Sequence, residues 1–429
     1  MPPPGPLRRH PDAPRYFCDP AGRTVFLCGS HHWDSVQDNG ERPGGFDFDR
    51  CLDRLGEWGH SFVRLWAHEA WTRVVAPPLW ERTGPGLARD GLPRFDLERV
   101  NPELLERLRS RAIAAGERGL YVSVMLFNGW AIRDNGEGDP WPHHPFHRDN
   151  NVNGIDGDPE GRGDGAAVHS LAIPAITRLQ EAYVARLVEA VGDLPHLLWE
   201  IANESPASSH AWQVHLVEHL RRLEVRRPLQ HPVGMTFAYP GGSNEALFQG
   251  PADWVSPGRR GGWMERPPAA DGGKVVLVDT DHLWGIGGDP LWVWKTVLRG
   301  HQPLYMDPLD DDPRHQASRR AMGAARRLAD RLDLAKFAVT PWRAASGYAL
   351  SSADGSVLAL LRRPALPWGS CWVELDGAGT WNVAWIDLER GDLGRRERRT
   401  TSTRRLSFAR TNDRHALVLV SAPARNAAG

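Results

Sequence analysis

The chain lacks a charge excess, is poor in cysteine and contains no long apolar run, and each absence excludes something. Fifty-two basic residues face 53 acidic ones, a formal net charge of −1 over 429 residues. That balance supplies no global field to draw in nucleic acid or an anionic membrane, and neither partner is expected. Arginine is plentiful, but over 103–111 it is interleaved with acid, as on a solvated helix face. Four cysteines (Cys18, Cys28, Cys51 and Cys371) are too few and too scattered for a disulfide framework or a zinc knuckle, so free buried thiols are expected. No stretch approaches the roughly 18 apolar residues of a membrane span. The Pro-rich start, Met1 to Pro14, carries no apolar run of signal-peptide length, which predicts a cytoplasmic protein unless the true start lies elsewhere.

Tryptophan is what the chain has in excess, with nineteen residues. Trp33, Trp66, Trp71, Trp130, Trp141 and Trp284 sit beside polar loop residues, where an indole face can stack on a sugar ring. Core packing is expected to take at least half of the nineteen.

Short β-rich runs alternate with helical patterns from residue 24 to about 330. Candidate strands fall at 24–29, 61–66, 120–127, 196–202, 232–237, 253–256, 274–281 and 302–307. Helical patterns cover 48–58, 102–117, 173–191, 208–224, 290–298 and 314–332, while 238–252 is weakly helical at best. Eight strands in this order predict an α/β fold, a (β/α)8 TIM barrel over 1–335 with its active site at the C-terminal strand ends. The segment 129–170, rich in Gly, Asp, Asn, His and Pro, is expected to overhang that mouth. Beyond it, short runs at 339–342, 347–351, 357–362, 371–375, 381–387, 403–408 and 416–421 predict a small all-β antiparallel sandwich over 336–429. Residues 422–429 are expected to form a disordered tail.

The segment Trp199-Glu200-Ile201-Ala202-Asn203-Glu204-Ser205 turns an apolar strand into a polar loop. A carboxyl group beside an amide suits general-acid work on a glycosidic oxygen, with Glu204 as the acid and Asn203 binding a sugar hydroxyl. A second apolar strand ends in Asp279 and Asp281, which alternation places on one face. Two aspartates there are costly unless they react, or else cap the strand and bind Arg or backbone donors. Arg64 lies inside the apolar run Phe62–Trp66 and demands carboxylate partners, either a reacting aspartate or a structural acid such as Glu200. His31 and His32 are adjacent, so alternation sends them to opposite faces and only one enters the barrel. That arrangement argues against a metal centre, and His143, His144 and His147 give only a weak signal for a surface ion; no metal or cofactor is expected. His31 or His32, with Trp33, is expected to line a sugar subsite. Asn128, Trp130, Tyr239, His282 and Trp284 follow strand ends and are candidate substrate contacts, whereas Asp307 reads as a turn cap.

The stretch WEIANES (199–205) resembles the end of the fourth barrel strand in clan A retaining glycoside hydrolases. The whole chain resembles a bacterial group of glycosidase-like barrels that carry a C-terminal sandwich of the collagen-binding type. GSHHWDSVQD (29–38), FVRLW (62–66), VDTDHLWGIGGDP (278–290), PLYMDP (303–308) and GTWNVAWIDLERGD (379–392) carry that likeness. The resemblance implies Glu204 as acid/base and Asp281 or Asp279 as nucleophile, although the family's usual residue there is Glu. It also implies that Arg64 keeps the nucleophile ionised and that Trp33, Trp66 and Trp284 stack on sugar. One aspartate is then expected to lie roughly 5–5.5 Å from Glu204, the retaining separation. The expected absence of an export signal, unless the true start lies elsewhere, departs from the picture of a secreted polysaccharidase. The expected function is O-glycoside hydrolysis of a carbohydrate substrate; the alternatives are a non-catalytic carbohydrate-binding protein on the same barrel and a metal-dependent hydrolase.

Overall fold

The computed structural model describes residues 2–38, 45–72, 75–136, 138–362, 371–408 and 415–423. Eight parallel strands form one nearly closed sheet: β1 (Gly29–His31), β2 (Phe62–Leu65), β3 (Tyr121–Asn128), β4 (Leu197–Asn203), β5 (Val233–Thr236), β6 (Trp254–Ser256), β7 (Val275–Asp279) and β8 (Gln302–Met306). Their order around the sheet is β1-β8-β7-β6-β5-β4-β3-β2. The ends meet where the Ser61 amide donates to the Cys28 carbonyl at 2.9 Å. Gly29 permits that closure, because a Cβ there would sit 1.7 Å from the Phe62 carbonyl oxygen. Every residue of β3 and β4 is buried, as in parallel strands covered on both faces.

The helices are α1 (Phe48–Trp58), α2 (Pro102–Glu117), α3 (Pro174–Val191), α4 (His210–Glu224), α5 (Asn244–Gln249), α6 (Pro290–Val297) and α7 (Pro313–Leu332). Local chemistry explains their starts. Asn101, Asp289 and Asp312 accept from first-turn amides, each followed by a proline at the first helical position. After β6 a short 3-10 turn, Arg260–Gly262, stands where a helix would complete the repeat.

Two features of the barrel region depart from the sequence reading. The first barrel strand is Gly29–His31 rather than 24–29; Thr24–Val25 instead pairs antiparallel with Phe17–Cys18 in a small N-terminal ribbon. An unforeseen hairpin, Trp80–Leu87 with Pro93–Val100, precedes α2, its alternation hidden by Gly84, Pro85 and Gly86. This hairpin bridges the long loop at Phe95 and Asn151, and the loop is knit by its own side chains. Asn151 alone donates to the Pro145, His147 and Ile155 carbonyls.

The barrel is followed by an antiparallel sandwich of β9 (Phe337–Val339), β10 (Ala349–Ser352), β11 (Val357–Arg362), β12 (Cys371–Glu374), β13 (Gly379–Ile386), β14 (Leu393–Thr401), β15 (Arg405–Phe408) and β16 (His415–Ser421). Six strands form one sheet in the order β9-β10-β11-β16-β13-β14, and β12 pairs with β15. Strand β14 escaped the sequence reading because LGRRERRTT lacks apolar alternation. Leu350, Leu358, Leu360, Ile386 and Leu417 share the barrel's core, while Val357, Ala359, Val418 and Val420 fill the sandwich. The Trp294 indole on α6 donates to the Leu388 carbonyl at 2.7 Å, tying the two together. All four cysteines are free, three of them buried. Among the described residues no helix is long and apolar enough to cross a membrane. Of the expected tail, 424–429 lies outside the described residues.

Candidate active site

Arg64 on β2 organises the mouth of the barrel. Its side chain is almost wholly buried, and its Nε donates to Glu200 Oε2 at 2.8 Å while Nη2 donates to Glu200 Oε1. Nη2 also donates to Asn203 Oδ1 at 2.8 Å, and Nη1 to Asp281 Oδ2 at 3.1 Å. Both partners proposed for this arginine are therefore real: Glu200 holds it, and it holds Asp281. Glu200→Ala is expected to cost about 3–5 kcal/mol of stability by stranding a buried guanidinium, as read in urea unfolding.

Asn203 has a determined orientation. Arg64 can only donate, so the oxygen of the amide must face it, and His282 Nε2 donates to the same oxygen at 2.9 Å. Ser256 Oγ holds the other nitrogen of His282 at 2.7 Å, and burial lowers the imidazole pKa. The Asn203 amide nitrogen is left buried without a partner, a donor that protein groups do not satisfy. His282 thus orients Asn203, a task different from the substrate contact expected of it.

Strand β7 ends at Asp279, and the chain then turns, with the His282 amide on the Asp279 carbonyl and the Leu283 amide on the Thr280 carbonyl. Alternation predicted a shared face for the two aspartates, and both do face Arg64, whose Nη1 lies 3.1 Å from Asp281 and 3.6 Å from Asp279, but only Asp281 reaches the cavity wall. Asp279 is completely buried. Its Oδ1 accepts from the Asp281 amide and from His31 Nε2, both at 3.0 Å. The Trp66 indole donates to His31 Nδ1 at 2.9 Å, so the proton of that ring resides on Nε2 and points at Asp279. Burial pushes the Asp279 carboxyl up, but His31, His282 and Arg64 together hold it well below the usual range. Asp281 lies beyond, in the wall of a cavity of 320 Å³ with Trp33, Trp66, Trp71, Trp130, Ile286 and Met306. Hollows of 500 and 670 Å³ occur elsewhere, one beside α5 and one under the N-terminal ribbon, with neither Asp281 nor Glu204 in their walls.

Glu204 follows β4 at φ 44°, a left-handed conformation rarely adopted by a non-glycine residue. Gly129 accommodates this turn, since a Cβ there would meet the Glu204 carbonyl oxygen at 2.3 Å. The Trp130 indole donates to Glu204 Oε2 at 2.5 Å, tying the carboxyl to the cavity wall. Burial and then the negative charge of Asp281 raise its pKa to about 8, against the opposing pull of Trp130, Arg133 and Arg64.

Other expected contacts take different places. His32 is buried between Trp33 and Phe46, with ring centroids 4.0 and 4.8 Å away, so His31 is the histidine at the site. Asn128 is also buried; its Oδ1 caps the Trp130 amide at 3.1 Å and its amide nitrogen meets His68 Nδ1 at 2.9 Å. Trp284 is partly exposed, its indole tied back to the Gly287 carbonyl at 2.9 Å, and is not in the cavity wall. Tyr239 is exposed under Arg133. Asp307 is a turn cap, accepting from the Leu309 amide and pairing with Arg319.

The sequence reading missed the support behind the loops. Glu69 Oε2 accepts from the Asn128 amide at 2.7 Å, and Glu69 Oε1 pairs with His169 Nε2 at 2.8 Å. His169 Nδ1 meets Ser205 Oγ at 2.9 Å, so one buried chain of groups braces both Trp130 and Glu204. The available signal was the run His68-Glu69-Ala70-Trp71 directly after β2. Ile286 and Met306 lacked any polar signature.

No family model matches the sequence, and no curated protein matches it either. Solved structures do. A glycoside hydrolase superposes with a TM-score of 0.61 at 11% identity, covering 97% of this chain and 97% of the other. A glycoside hydrolase family 5 protein from Bacteroides vulgatus superposes with a TM-score of 0.59 at 12% identity, covering 98% of this chain and 93% of the other. These are likenesses of fold, and at such coverage they span both the barrel and the sandwich.

Proposed function

We propose that the chain is a retaining glycoside hydrolase in which Asp281 is the nucleophile and Glu204 the acid/base. The observation that carries this reading is the contrast between two carboxyls, one in the wall of a Trp-lined cavity and the other hydrogen-bonded to an indole of that wall. Asp281 is held by the Arg64 guanidinium, which orients it in the cavity wall for attack. Glu204 is raised to about 8 and keeps a proton for the leaving oxygen at neutral pH. Asp279 and His31 act from behind: Asp279 accepts the Asp281 backbone amide and so positions the turn that presents the nucleophile. Four indoles supply faces for sugar C–H groups. The substrate is accordingly a carbohydrate, as are those on which glycoside hydrolases of this fold act.

The unpartnered Asn203 amide nitrogen suits the sugar hydroxyl next to the reacting carbon, a contact that strengthens in an oxocarbenium-like transition state. Asn203→Ala is expected to lower kcat/KM on an ordinary aryl glycoside by about a hundredfold, and to change turnover of the 2-deoxy analogue little. Equal losses on both substrates would remove that role. The reading as a whole is tested with a panel of 4-nitrophenyl glycosides, following the first-formed sugar by proton NMR. Retention of anomeric configuration is expected. Binding of sugars with no hydrolysis across the panel would instead favour a carbohydrate-binding protein.

A further inference from the structure

The sandwich carries a charged hollow that the barrel chemistry does not use. Strand β14 is the edge of the six-stranded sheet, and its alternation sends Arg395, Glu397 and Arg399 to one face and Arg396 and Arg398 to the other. The first set neutralises itself: Glu397 accepts from Arg395 at 2.6 Å, from Arg399 at 2.7 Å and from the Trp385 indole at 3.1 Å. Arg396 and Arg398 are exposed and have no acidic partner among the described residues. They wall a hollow of 580 Å³ floored by Ala384 and Leu419, with Asn382 and Ser421 alongside; Glu397 between them also borders it, its carboxylate neutralised by Arg395 and Arg399. The floor continues the sheet face whose Ile386 and Leu417 pack on the barrel.

We propose that this hollow binds a carboxylated polysaccharide, one bearing uronate residues, and so holds the sandwich on an acidic glycan. The choice of a glycan rests on the glycosidase reading of the barrel; the choice of an acidic one rests on the hollow itself. Guanidinium forks match carboxylates in a two-point geometry, and residues two apart on a strand stand about 6.5–7 Å from each other, which offers two carboxylate sites in a row. The small apolar floor accepts the C–H face of a sugar ring, and the Asn382 and Ser421 side chains can meet its hydroxyls. Among the described residues no aromatic side chain lines the hollow, so they supply no stacking platform of the kind that single-stranded nucleic acid uses. Charges on an edge strand also oppose strand addition, a task the paired cluster on the other face already performs. That role requires neither an unpaired arginine couple nor a hollow between them.

The test is gel electrophoresis of the full chain through polygalacturonate, with dextran, gelatin and single-stranded DNA as separate comparison arms. Retardation by polygalacturonate alone is expected, weakening as salt is raised. The Arg396→Ala/Arg398→Ala pair should weaken the apparent affinity about tenfold or more, and the Lys/Lys pair should weaken it less because the charge remains. Both pairs should keep the wild-type melting temperature and the wild-type rate on aryl glycosides. A wild type that is not retarded, an alanine pair retarded like the wild type, or stronger retardation by dextran, gelatin or DNA overturns the proposal. A wild type that hydrolyses aryl glycosides but is not retarded sinks this inference alone; a wild type that is retarded without any hydrolysis sinks the barrel reading alone.

Discussion

Replacing Asp281 by Asn is expected to lower kcat/KM on aryl glycosides by about four orders of magnitude, because an amide neither attacks the anomeric carbon nor forms a glycosyl ester. Asp279→Asn should leave far more activity and cost more stability. Its carboxylate is completely buried and accepts from both His31 and the Asp281 amide, so the change weakens the support of the loop rather than the attacking atom. A 2-deoxy-2-fluoro glycoside with a good leaving group gives an independent readout. Peptide mass mapping should find the trapped sugar on Asp281. Finding it on Asp279, or finding Asp279→Asn the more inactive of the two variants, would reverse the assignment. Asp281→Asn should also lower the pKa of Glu204, since the Asp281 charge is the second force raising it.

Glu204→Gln is expected to cost about a thousandfold in kcat on substrates with poor leaving groups, the usual scale for loss of a positioned proton donor. Glycosides of acidic phenols need no such donor, and their first step should be nearly unaffected. The wild-type profile should fall on its alkaline side near pH 8, where the Glu204 carboxyl loses its proton, and that limb should vanish in the variant. The same shift acts on stability. The carboxyl titrates about 8 when folded against a usual 4.5, so its contribution is complete below pH 4.5 and is lost as the pH rises through 8. The melting temperature of Glu204→Gln should therefore gain on the wild type between those two values. A constant difference across that range would mean that Glu204 is not held protonated by the fold.

Much of this was legible locally. An apolar run that stops at an Asn-Glu or Asp-x-Asp group marks a strand delivering polar side chains, and proline after an Asp or Asn cap marks a helix start. Seven of the eight barrel strands therefore fell where periodicity placed them. The misplaced first strand shows the limit. Val25, Phe26 and Leu27 are apolar enough for a barrel strand, but Thr24–Val25 pairs with the N-terminal ribbon and the chain joins the barrel only at Gly29. Strand β14 shows another, because an edge strand with charged residues on both faces has no period for a reader to detect. Glu69 and His169 went unnoticed because each is ordinary alone. They become a pair only when residues 100 positions apart are brought to 2.8 Å.

By itself, the sequence determined the kind of fold and the presence of carboxyl groups at the ends of the fourth and seventh strands, since each is written in short-range pattern. Only the tertiary structure decided which of the neighbouring candidates serves the cavity. Asp281 rather than Asp279, and His31 rather than His32, are distinguished by where β7 and β1 end and by a guanidinium reaching across from β2. The physical reason is that the charge state and orientation of a buried polar group are set by its partners. At this barrel mouth those partners come from six different strands and the turns that follow them.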